Sequence, residues 1–259
     1  MSKAPAVDYA LEIIEFMASD NGAQGIADIS NALGINKNAV SRVLEALTEK
    51  GWAYMSDEIG KKYRLTLRPF SVISSGIGDS GSVKIAEPCL KRLNEKLGDS
   101  VYYGVKNGNN VLYLLHYEST KQVRINGSVG GEYPLNCAAP GKVILAFSND
   151  EKIKEFFALP VEKRTDNTIT TSDDFLSEAE AIRKNGYATD NEEFARGIIC
   201  ISVPIFDCHG SVVAAIGISS LTLYDDKNSL INEKLPLIKE CAREISVNLG
   251  YSGKEYLYE

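Results

Sequence analysis

The chain has 259 residues, of which 44% are hydrophobic and 24% charged, a composition typical of a soluble globular protein with about two domains. This composition excludes a disordered tail, a fibre and a disulfide-stabilised miniprotein. The 28 basic and 35 acidic residues give a net charge of -7, which predicts that the molecule as a whole repels nucleic acid and anionic membranes.

Five cysteines are scattered through the chain without a CxxC or Cys/His ligand spacing. Their odd number and their positions predict reduced thiols and argue against a zinc or other metal site. The amino terminus lacks the pattern of a signal peptide, and no apolar stretch approaches the roughly 18 residues of a membrane span. We therefore expect a cytoplasmic protein with no membrane segment, no metal and no cofactor.

The charge is distributed unevenly along the chain. The first 75 residues hold eight basic and nine acidic residues, whereas the remainder holds 20 basic and 26 acidic residues. Six of the first eight bases lie in two short stretches, 37–42 and 61–68. Because DNA binding depends on where basic residues cluster, the net charge of the whole chain does not exclude it for this part.

Three amphipathic helices are predicted in the first 50 residues. The first covers residues 8–19, with Asp8 as its N-cap. The second covers residues 26–33 and ends at Gly34, which suits a left-handed C-cap. The third follows the N-cap Asn36 and carries apolar residues at helical spacing up to about residue 47.

A β-hairpin is predicted after the third helix, with strands at residues 52–55 and 61–67. Three helices followed by a hairpin indicate a mostly α-helical winged helix-turn-helix domain with the hairpin as its wing. We assign residues 1–75 to this domain. Residues 76–81 contain several Gly and Ser residues and are predicted to be a linker.

Residues 82–259 are predicted to form an α+β domain with an antiparallel sheet. Strands near residues 100–106 and 111–118 flank a Gly/Asn turn, which favours antiparallel pairing, and a further strand is predicted near residues 122–126. Five further helices and two apolar strands are predicted from the spacing of apolar residues and complete the domain. These are the helices near 82–97, 141–147, 150–159, 173–185 and 226–249, and the apolar strands 198–206 and 211–220.

The amino-terminal turns of the third helix carry the polar and basic side chains that a helix in the DNA major groove requires. Arg42 suits a bidentate contact with guanine, Asn38 suits adenine or a phosphate, and Lys37 suits a phosphate. The candidate DNA-binding residues are Lys37, Asn38, Ser41 and Arg42 of the helix, and Lys61, Lys62 and Arg64 of the wing. Two alternatives stay open: a solvated helical face, and a winged helix that binds protein.

Long segments resemble the IclR (isocitrate lyase regulator) family. The run IADISNALGINKNAVSRVLEALTEKGWAY, followed by KKYRLTLR, resembles the DNA-binding half of that family. The segments PLNCAAPGKVILAF and GYATDNEEFARGIICISVPIFDCHGSVVAAIGIS resemble its effector-binding half, in the same order. The resemblance implies a GAF-like sensor domain for residues 82–259 and double-stranded operator DNA as partner. Because a single winged helix contacts too few phosphates for useful specificity, we also expect residues 82–259 to mediate assembly into a homodimer or homotetramer.

The resemblance also implies a site for a small organic effector, often a carboxylate. The matching positions are Ala139, Pro140, Asp190, Cys200 and Ser219. Amides at a helix start bind anions, and a serine hydroxyl donates to a carboxylate.

Two departures from the family pattern bear on that site. Pro140 has no amide to donate, and Gly217 stands where the family commonly has a second serine, which predicts a roomier and less polar cavity. Aromatic residues of the domain are candidate walls, although on strands they are more often core; these are Tyr102, Tyr103, Tyr113 and Phe194.

Several candidate residues have a purely structural explanation. Asp190 is explained equally well as a turn or cap, and Cys200 and Cys137 are small apolar fillers rather than thiol sensors. His116 and His209 have no catalytic partner at recognisable spacing and are predicted to be structural or solvent-facing.

No complete catalytic motif is present, and no catalytic residue is assigned. The sequence predicts a ligand-responsive, DNA-binding transcriptional regulator, a repressor of a catabolic operon, and not an enzyme. The alternative is a metabolite-binding enzyme with a nonfunctional winged helix. Turnover of a metabolite, and duplex binding that weakens steeply with salt, distinguish the two.

Overall fold

The computed structural model describes residues 4–19, 22–69, 71–72 and 81–252. The chain divides into two compact units, Met1–Asp79 and Ser80–Glu259, each with its own hydrophobic core. The predicted linker, residues 76–81, lies outside the described residues except for Gly81. The domain limits at residues 75 and 82 therefore stay predictions.

The first unit is a winged helix-turn-helix. Its helices α1 to α3 enclose a small core, and an antiparallel sheet of order β1-β3-β2 packs beside them. Its described elements are α1 (Pro5–Ser19), β1 (Gln24–Gly25), α2 (Ile26–Leu33), α3 (Lys37–Glu49), β2 (Ala53–Asp57) and β3 (Lys62–Leu65).

Local sequence signals explain most boundaries of this unit. Gly34 has a φ of 68° and ends α2 in the left-handed conformation, and the Asn36 side chain accepts a hydrogen bond from the Ala39 amide at 2.9 Å. The prediction that Asp8 is the N-cap of α1 was wrong. The helix begins at Pro5, a residue suited to a first turn, and Asp8 lies within that turn, where a carboxylate is favourable.

The second unit is an α+β domain built on a six-stranded antiparallel sheet of order β6-β5-β4-β9-β8-β7. Helices α4 and α9 pack on one face of the sheet, and α5 and α7 on the other. Its elements are α4 (Gly81–Leu97), β4 (Ser100–Asn107), β5 (Asn110–Tyr117), β6 (Glu132–Pro134), α5 (Ala139–Ala146), α6 (Asp150–Phe157), α7 (Ser172–Asn185), β7 (Ala188–Asn191), β8 (Ile198–Phe206), β9 (Val212–Leu221), α8 (Lys227–Ser229) and α9 (Leu235–Asn248).

The strand predicted near residues 122–126 is not formed. We call residues 118–131, which join β5 to β6 without helix or strand, the strap. Within the predicted strand, the Val123 amide donates to the Tyr224 hydroxyl at 3.2 Å. The strap bonds to β5 at its far end, where the Gly130 amide donates to the Tyr113 carbonyl at 2.8 Å and the Gly131 carbonyl accepts from the Tyr113 amide at 3.0 Å. The third strand of this hairpin region is β6, which pairs with the start of β5.

The closing helix predicted for residues 226–249 is interrupted by a π-helical turn, Leu230–Lys234, between α8 and α9. Lys234 Nζ donates to buried Asp99 at 2.7 Å and also pairs with Asp225. The wider turn thus places Lys234 between two acids. No helix in the described ranges is both long and apolar enough to cross a membrane.

Candidate nucleic-acid interface and ligand cavity

The seven predicted DNA-binding residues lie on α3 and on the wing. Six of them are exposed, and Ser41 is half-buried, with its Oγ donating to Glu45 Oε1 at 2.9 Å. Within the described part of the chain, none of the five basic side chains forms an ion pair: Lys37, Arg42, Lys61, Lys62 and Arg64. Their positive charges are therefore available to an anionic partner.

The wing has a defined tip. Asp57 Oδ1 accepts hydrogen bonds from the amides of Ile59 and Gly60, both at 3.0 Å. Beyond the tip, Tyr63 is buried in the core, whereas its neighbours Lys62 and Arg64 are exposed. Strand alternation thus directs the two bases away from the core.

A cavity of about 40 Å³ lies on the α5 side of the six-stranded sheet, and we call it the sheet cavity. All five residues predicted to contact an effector line it. Ala139 and Pro140 begin α5, and Asp190, Cys200 and Ser219 lie on β7, β8 and β9. The other lining residues are Ser100, Tyr113, His116, Ile125, Gly127, Tyr133, Ala138, Phe194 and Ile198.

Four polar side chains of the sheet cavity, which we call the polar row, stand in register across four adjacent strands. Asp190 pairs with Cys200, Cys200 pairs with Ser219, and Ser219 pairs with Ser100 of β4. Directly paired residues project to the same face of a sheet. The Cys200 thiol donates to Ser219 Oγ at 3.2 Å, so these two members of the row are hydrogen-bonded.

Asp190 is the acidic member of the polar row and is 1% exposed. Its Oδ1 accepts hydrogen bonds from the amides of Glu193 at 2.7 Å and Phe194 at 3.2 Å. Burial nevertheless raises the pKa of Asp190 to about 6. Burial also raises the pKa of Cys200 well above its usual value, so its thiol is neutral and acts as a hydrogen-bond donor.

A buried lysine outside the predicted set supports the loop that holds Asp190. Lys142 of α5 is 1% exposed, and its Nζ contacts the Thr189 carbonyl at 2.8 Å, Glu193 Oε1 at 2.6 Å and Glu178 Oε1 at 2.9 Å. These bonds join α5 to α7 and to the segment that follows β7. Burial raises the pKa of Glu193 to about 7, and its Oε2 has no hydrogen-bond partner among the described residues.

Two of the four candidate aromatic walls line the sheet cavity, namely Tyr113 and Phe194. Tyr133 links them, with ring centroids 4.4 Å from Tyr113 and 5.5 Å from Phe194. Tyr102 is fully buried beneath Tyr113 at 4.7 Å, and Tyr103 packs in the core on the opposite face of the sheet.

The predicted gain of space at Gly217 was wrong. Gly217 pairs with Tyr102, and a Cβ at Gly217 would lie 2.7 Å from the Tyr102 hydroxyl and 2.1 Å from the Ile201 carbonyl oxygen. The Tyr102 side chain therefore fills the space that the missing side chain leaves. The described lining of the sheet cavity includes neither Gly217 nor Tyr102, so the missing side chain does not widen it.

His116 was predicted to be structural or solvent-facing, but it is half-buried and lines the sheet cavity. The register of β4 with β5 shifts between Tyr103 and Gly104, which leaves Leu114 as an extra residue in β5. This bulge brings Tyr113 and His116, three residues apart, to the same side of the sheet, which strand alternation alone does not predict. His209 is exposed in the β8–β9 turn, as predicted.

The strap contributes the cavity residues that sequence reasoning missed entirely. Ile125 and Gly127 line the sheet cavity from the strap, and a Cβ at Gly127 would lie 2.6 Å from His116 Nε2. A short irregular segment carries no periodic signal that would identify this role. In the described ranges, no group of three or more His, Cys, Asp or Glu side chains is arranged to hold a metal ion.

Comparisons with known proteins match both units. Residues 6–56 match the family described as the IclR helix-turn-helix domain. Residues 79–247 match the family described as the bacterial transcriptional regulator IclR C-terminal domain. Together the two matches cover most of the chain.

Similar proteins span nearly the whole chain. The DNA-binding transcriptional repressor YiaJ of Escherichia coli K12 is 30% identical over 253 residues, which cover 95% of this chain and 88% of that protein. The crystal structure of the Thermotoga maritima IclR is 30% identical with a TM-score of 0.80, and the match covers 95% of this chain and 98% of that one.

A solved complex resembles the second unit. It is the 3-hydroxybenzoic acid complex of a double mutant of the PobR transcription factor inducer-binding domain from Acinetobacter. Its sequence is 26% identical with a TM-score of 0.59, and the match covers 63% of this chain and 96% of that one. From these matches and from its two folds, the chain is a member of the IclR family of bacterial transcriptional regulators.

Proposed function

We propose that this chain is an effector-controlled repressor of a catabolic operon. It binds double-stranded operator DNA through α3 and the wing, and it binds a small organic acid in the sheet cavity. The observation that carries the second half of the proposal is the polar row facing the start of α5, beneath an aromatic wall.

The DNA contacts divide by chemistry. Arg42 reads guanine in the major groove, Asn38 contacts adenine or a phosphate, and Lys37 and Ser41 contact the backbone. Lys61, Lys62 and Arg64 of the wing bind phosphates beside the groove. Support comes from the exposure of the five basic side chains and from their lack of acidic partners in the described part of the chain.

The effector is a small acid that carries a hydroxyl group. Its carboxylate faces the first turn of α5, where Ala139 offers an amide and Pro140 offers none. Its hydroxyl group reaches the polar row, where Asp190 accepts a hydrogen bond and Ser219 either donates or accepts one. The aromatic wall suits a planar ligand, such as the hydroxybenzoic acid bound by the similar inducer-binding domain.

Binding of such an acid requires the strap to move. The sheet cavity measures about 40 Å³, and cavities that hold drug-sized ligands measure roughly 300 to 1,000 Å³. Strands β4, β5, β8 and β9 are paired along most of their length, whereas residues 124–127 of the strap make no backbone–backbone hydrogen bond with any described residue. The acid enters by displacing Ile125 and Gly127.

Repression requires an oligomer. One winged helix contacts too few phosphates and bases for useful specificity, so a homodimer or homotetramer reads a pseudo-palindromic operator. The acid changes DNA affinity only through a difference in its affinity for the DNA-bound and DNA-free forms. The similarity to a named repressor supports repression over activation.

Fluorescence anisotropy with full-length protein tests the proposal. Duplexes are selected from genomic fragments, and their affinity is measured with and without 3-hydroxybenzoate and glycolate. We expect an acid to weaken binding of the wild type, and the variant Ser219→Ala to require more acid for the same effect. The matched control Ser211→Ala, in the exposed β8–β9 turn, should behave as the wild type.

Two results would contradict the proposal. One is the absence of any duplex whose binding weakens steeply with salt. The other is chemical turnover of an added acid, which would favour the enzyme with a nonfunctional winged helix.

A further inference from the structure

The charges in the sheet cavity do not suit an anion without compensation. Among its described lining residues, Asp190 is the one carboxylic acid, His116 is the one basic side chain, and none is Lys or Arg. The nearby Lys142 directs its ammonium group to Thr189, Glu178 and Glu193. A carboxylate in the cavity would therefore meet an acid of its own sign in a poorly hydrated space.

The imidazole of His116 is placed to receive the anion. Residue 116 pairs with Tyr102 across β4 and β5, and Gly127 of the strap lies directly over its Nε2. Neither ring nitrogen of His116 has a hydrogen-bond partner among the described residues. Burial lowers the pKa of His116 below its usual value of about 6.5, and Glu118 opposes that change. The ring is therefore neutral at pH 7 when no anion is bound.

The other titratable groups around His116 do not supply a cation to the cavity. Glu118 of the strap pairs with Arg124 at 3.4 Å, and both side chains are exposed. The tyrosines on β4, β5 and β6 have raised pKa values because of burial and stay neutral. The groups across the cavity are Asp190 and the neutral thiol of Cys200.

We propose that the effector anion binds together with one proton, which is taken from solvent and held on His116 as an imidazolium ion paired with the effector carboxylate. This inference rests on the proposed function, because it requires a carboxylate effector. His116 is then a specificity-determining residue that selects acids over neutral analogues. Gly127 permits the strap to lie against the His116 ring before the acid enters, since any side chain there would collide with the ring.

The direction of the pH dependence follows from proton uptake. The bound anion raises the pKa of His116. The affinity for the acid is therefore highest at pH values below the pKa that His116 has in the free protein. Between the pKa of His116 in the free protein and its pKa in the complex, the affinity for the acid falls roughly tenfold per pH unit. Above both pKa values the affinity is constant. Asp190, with a pKa of about 6, would contribute in the same direction if the anion raised its pKa too. The variant Asp190→Asn separates the two contributions.

Nuclear magnetic resonance of the histidine rings tests the inference. The chain has two histidines, and the resonances of His209, in its exposed turn, are assigned by the variant His209→Gln. In the free protein, we expect His116 to titrate below the usual imidazole pKa of about 6.5. With saturating 3-hydroxybenzoate or glycolate, we expect the pKa of His116 to rise above that usual value.

Binding measurements between about pH 5 and about pH 8 provide the second readout. His116→Gln should remove most of the pH dependence of acid affinity, whereas the matched control His209→Gln should retain it. Because the ring titration uses wild-type protein, the test does not depend on the variants folding.

The outcomes separate this inference from the proposed function. If an acid binds but the pKa of His116 does not rise, the inference is overturned and the effector function stands. If the pH dependence is lost in Asp190→Asn and kept in His116→Gln, the proton belongs to Asp190 and the assignment to His116 is overturned. If neither acid stabilises the protein or binds at any pH, the carboxylate effector and the inference fail together.

Discussion

Individual residues determine how each site works, and Arg42 illustrates this on the DNA side. It is exposed on the second turn of α3 and has no ion-pair partner in the described ranges. If Arg42 reads a base, Arg42→Ala should weaken binding to a selected duplex by about 1 to 3 kcal/mol and relax specificity at one position. Anisotropy titrations measure this effect. Lys50→Ala, at the exposed opposite end of α3, is the matched control, and equal losses for both variants would remove Arg42 from the base contacts.

Lys142 illustrates how a buried residue can stabilise the sheet cavity without lining it. Lys142→Met would leave Glu193 and Glu178 without their cation, and breaking such a buried pair typically costs about 3 to 5 kcal/mol. Urea unfolding of the full chain should show this loss in the free energy of unfolding. Lys152→Met, on the exposed face of α6, should change that free energy by less than about 0.5 kcal/mol. Similar values for the two variants would contradict the buried network.

At the scale of elements, prediction succeeded where the signal is local or strongly apolar. The limits of α2 and β8 agree with the predicted residues 26–33 and 198–206, because Gly34 ends the helix and the strand is apolar throughout. The prediction failed where contacts between residues far apart in the sequence determine the conformation of the backbone. The Val123 amide, in the predicted strand, bonds to the Tyr224 side chain, and a π-helical turn interrupts the closing helix and places Lys234 between two acids.

The composition of the sheet cavity was predictable only in part. The family resemblance named five of the residues that line it from α5, β7, β8 and β9, and the structure brings those five together. His116 was missed because a bulge changes the face on which it lies, and Gly127 was missed because the strap has no periodic pattern. Features that depend on register and on irregular segments therefore need coordinates.

The strap is held at its start by an ion-pair cluster. Lys121 bonds to buried Asp99, contacts Asp225 at 3.5 Å, and lies 4.8 Å over the Tyr224 ring. Lys121→Ala should therefore speed hydrogen exchange in residues 119–129 by about fivefold, the equivalent of about 1 kcal/mol for a partly exposed pair. Mass spectrometry of exchanged peptides measures this. Lys106→Ala, exposed on β4, should leave strap exchange unchanged, and an unchanged rate in Lys121→Ala would show that the cluster does not hold the strap.

At the scale of the whole molecule, the net charge of -7 conceals two different units. The first 75 residues are close to neutral, and most of their bases lie in stretches that include the start of α3 and the wing. Most of the excess acid belongs to the later residues. A DNA-binding member of the IclR family can therefore carry a negative net charge. Counterion release on DNA binding depends on the local contacts with phosphates and not on the net charge of the chain.

We expect acid binding in the sheet cavity and operator binding by α3 and the wing to be linked. The most direct test is the affinity of the full chain for a selected duplex, measured with and without a saturating acid, together with the affinity for that acid with and without the duplex. Linkage requires that the acid weaken duplex binding by the same factor by which the duplex weakens acid binding. We expect this factor to be at least about five. An acid that binds the wild type and leaves duplex affinity unchanged would contradict the account.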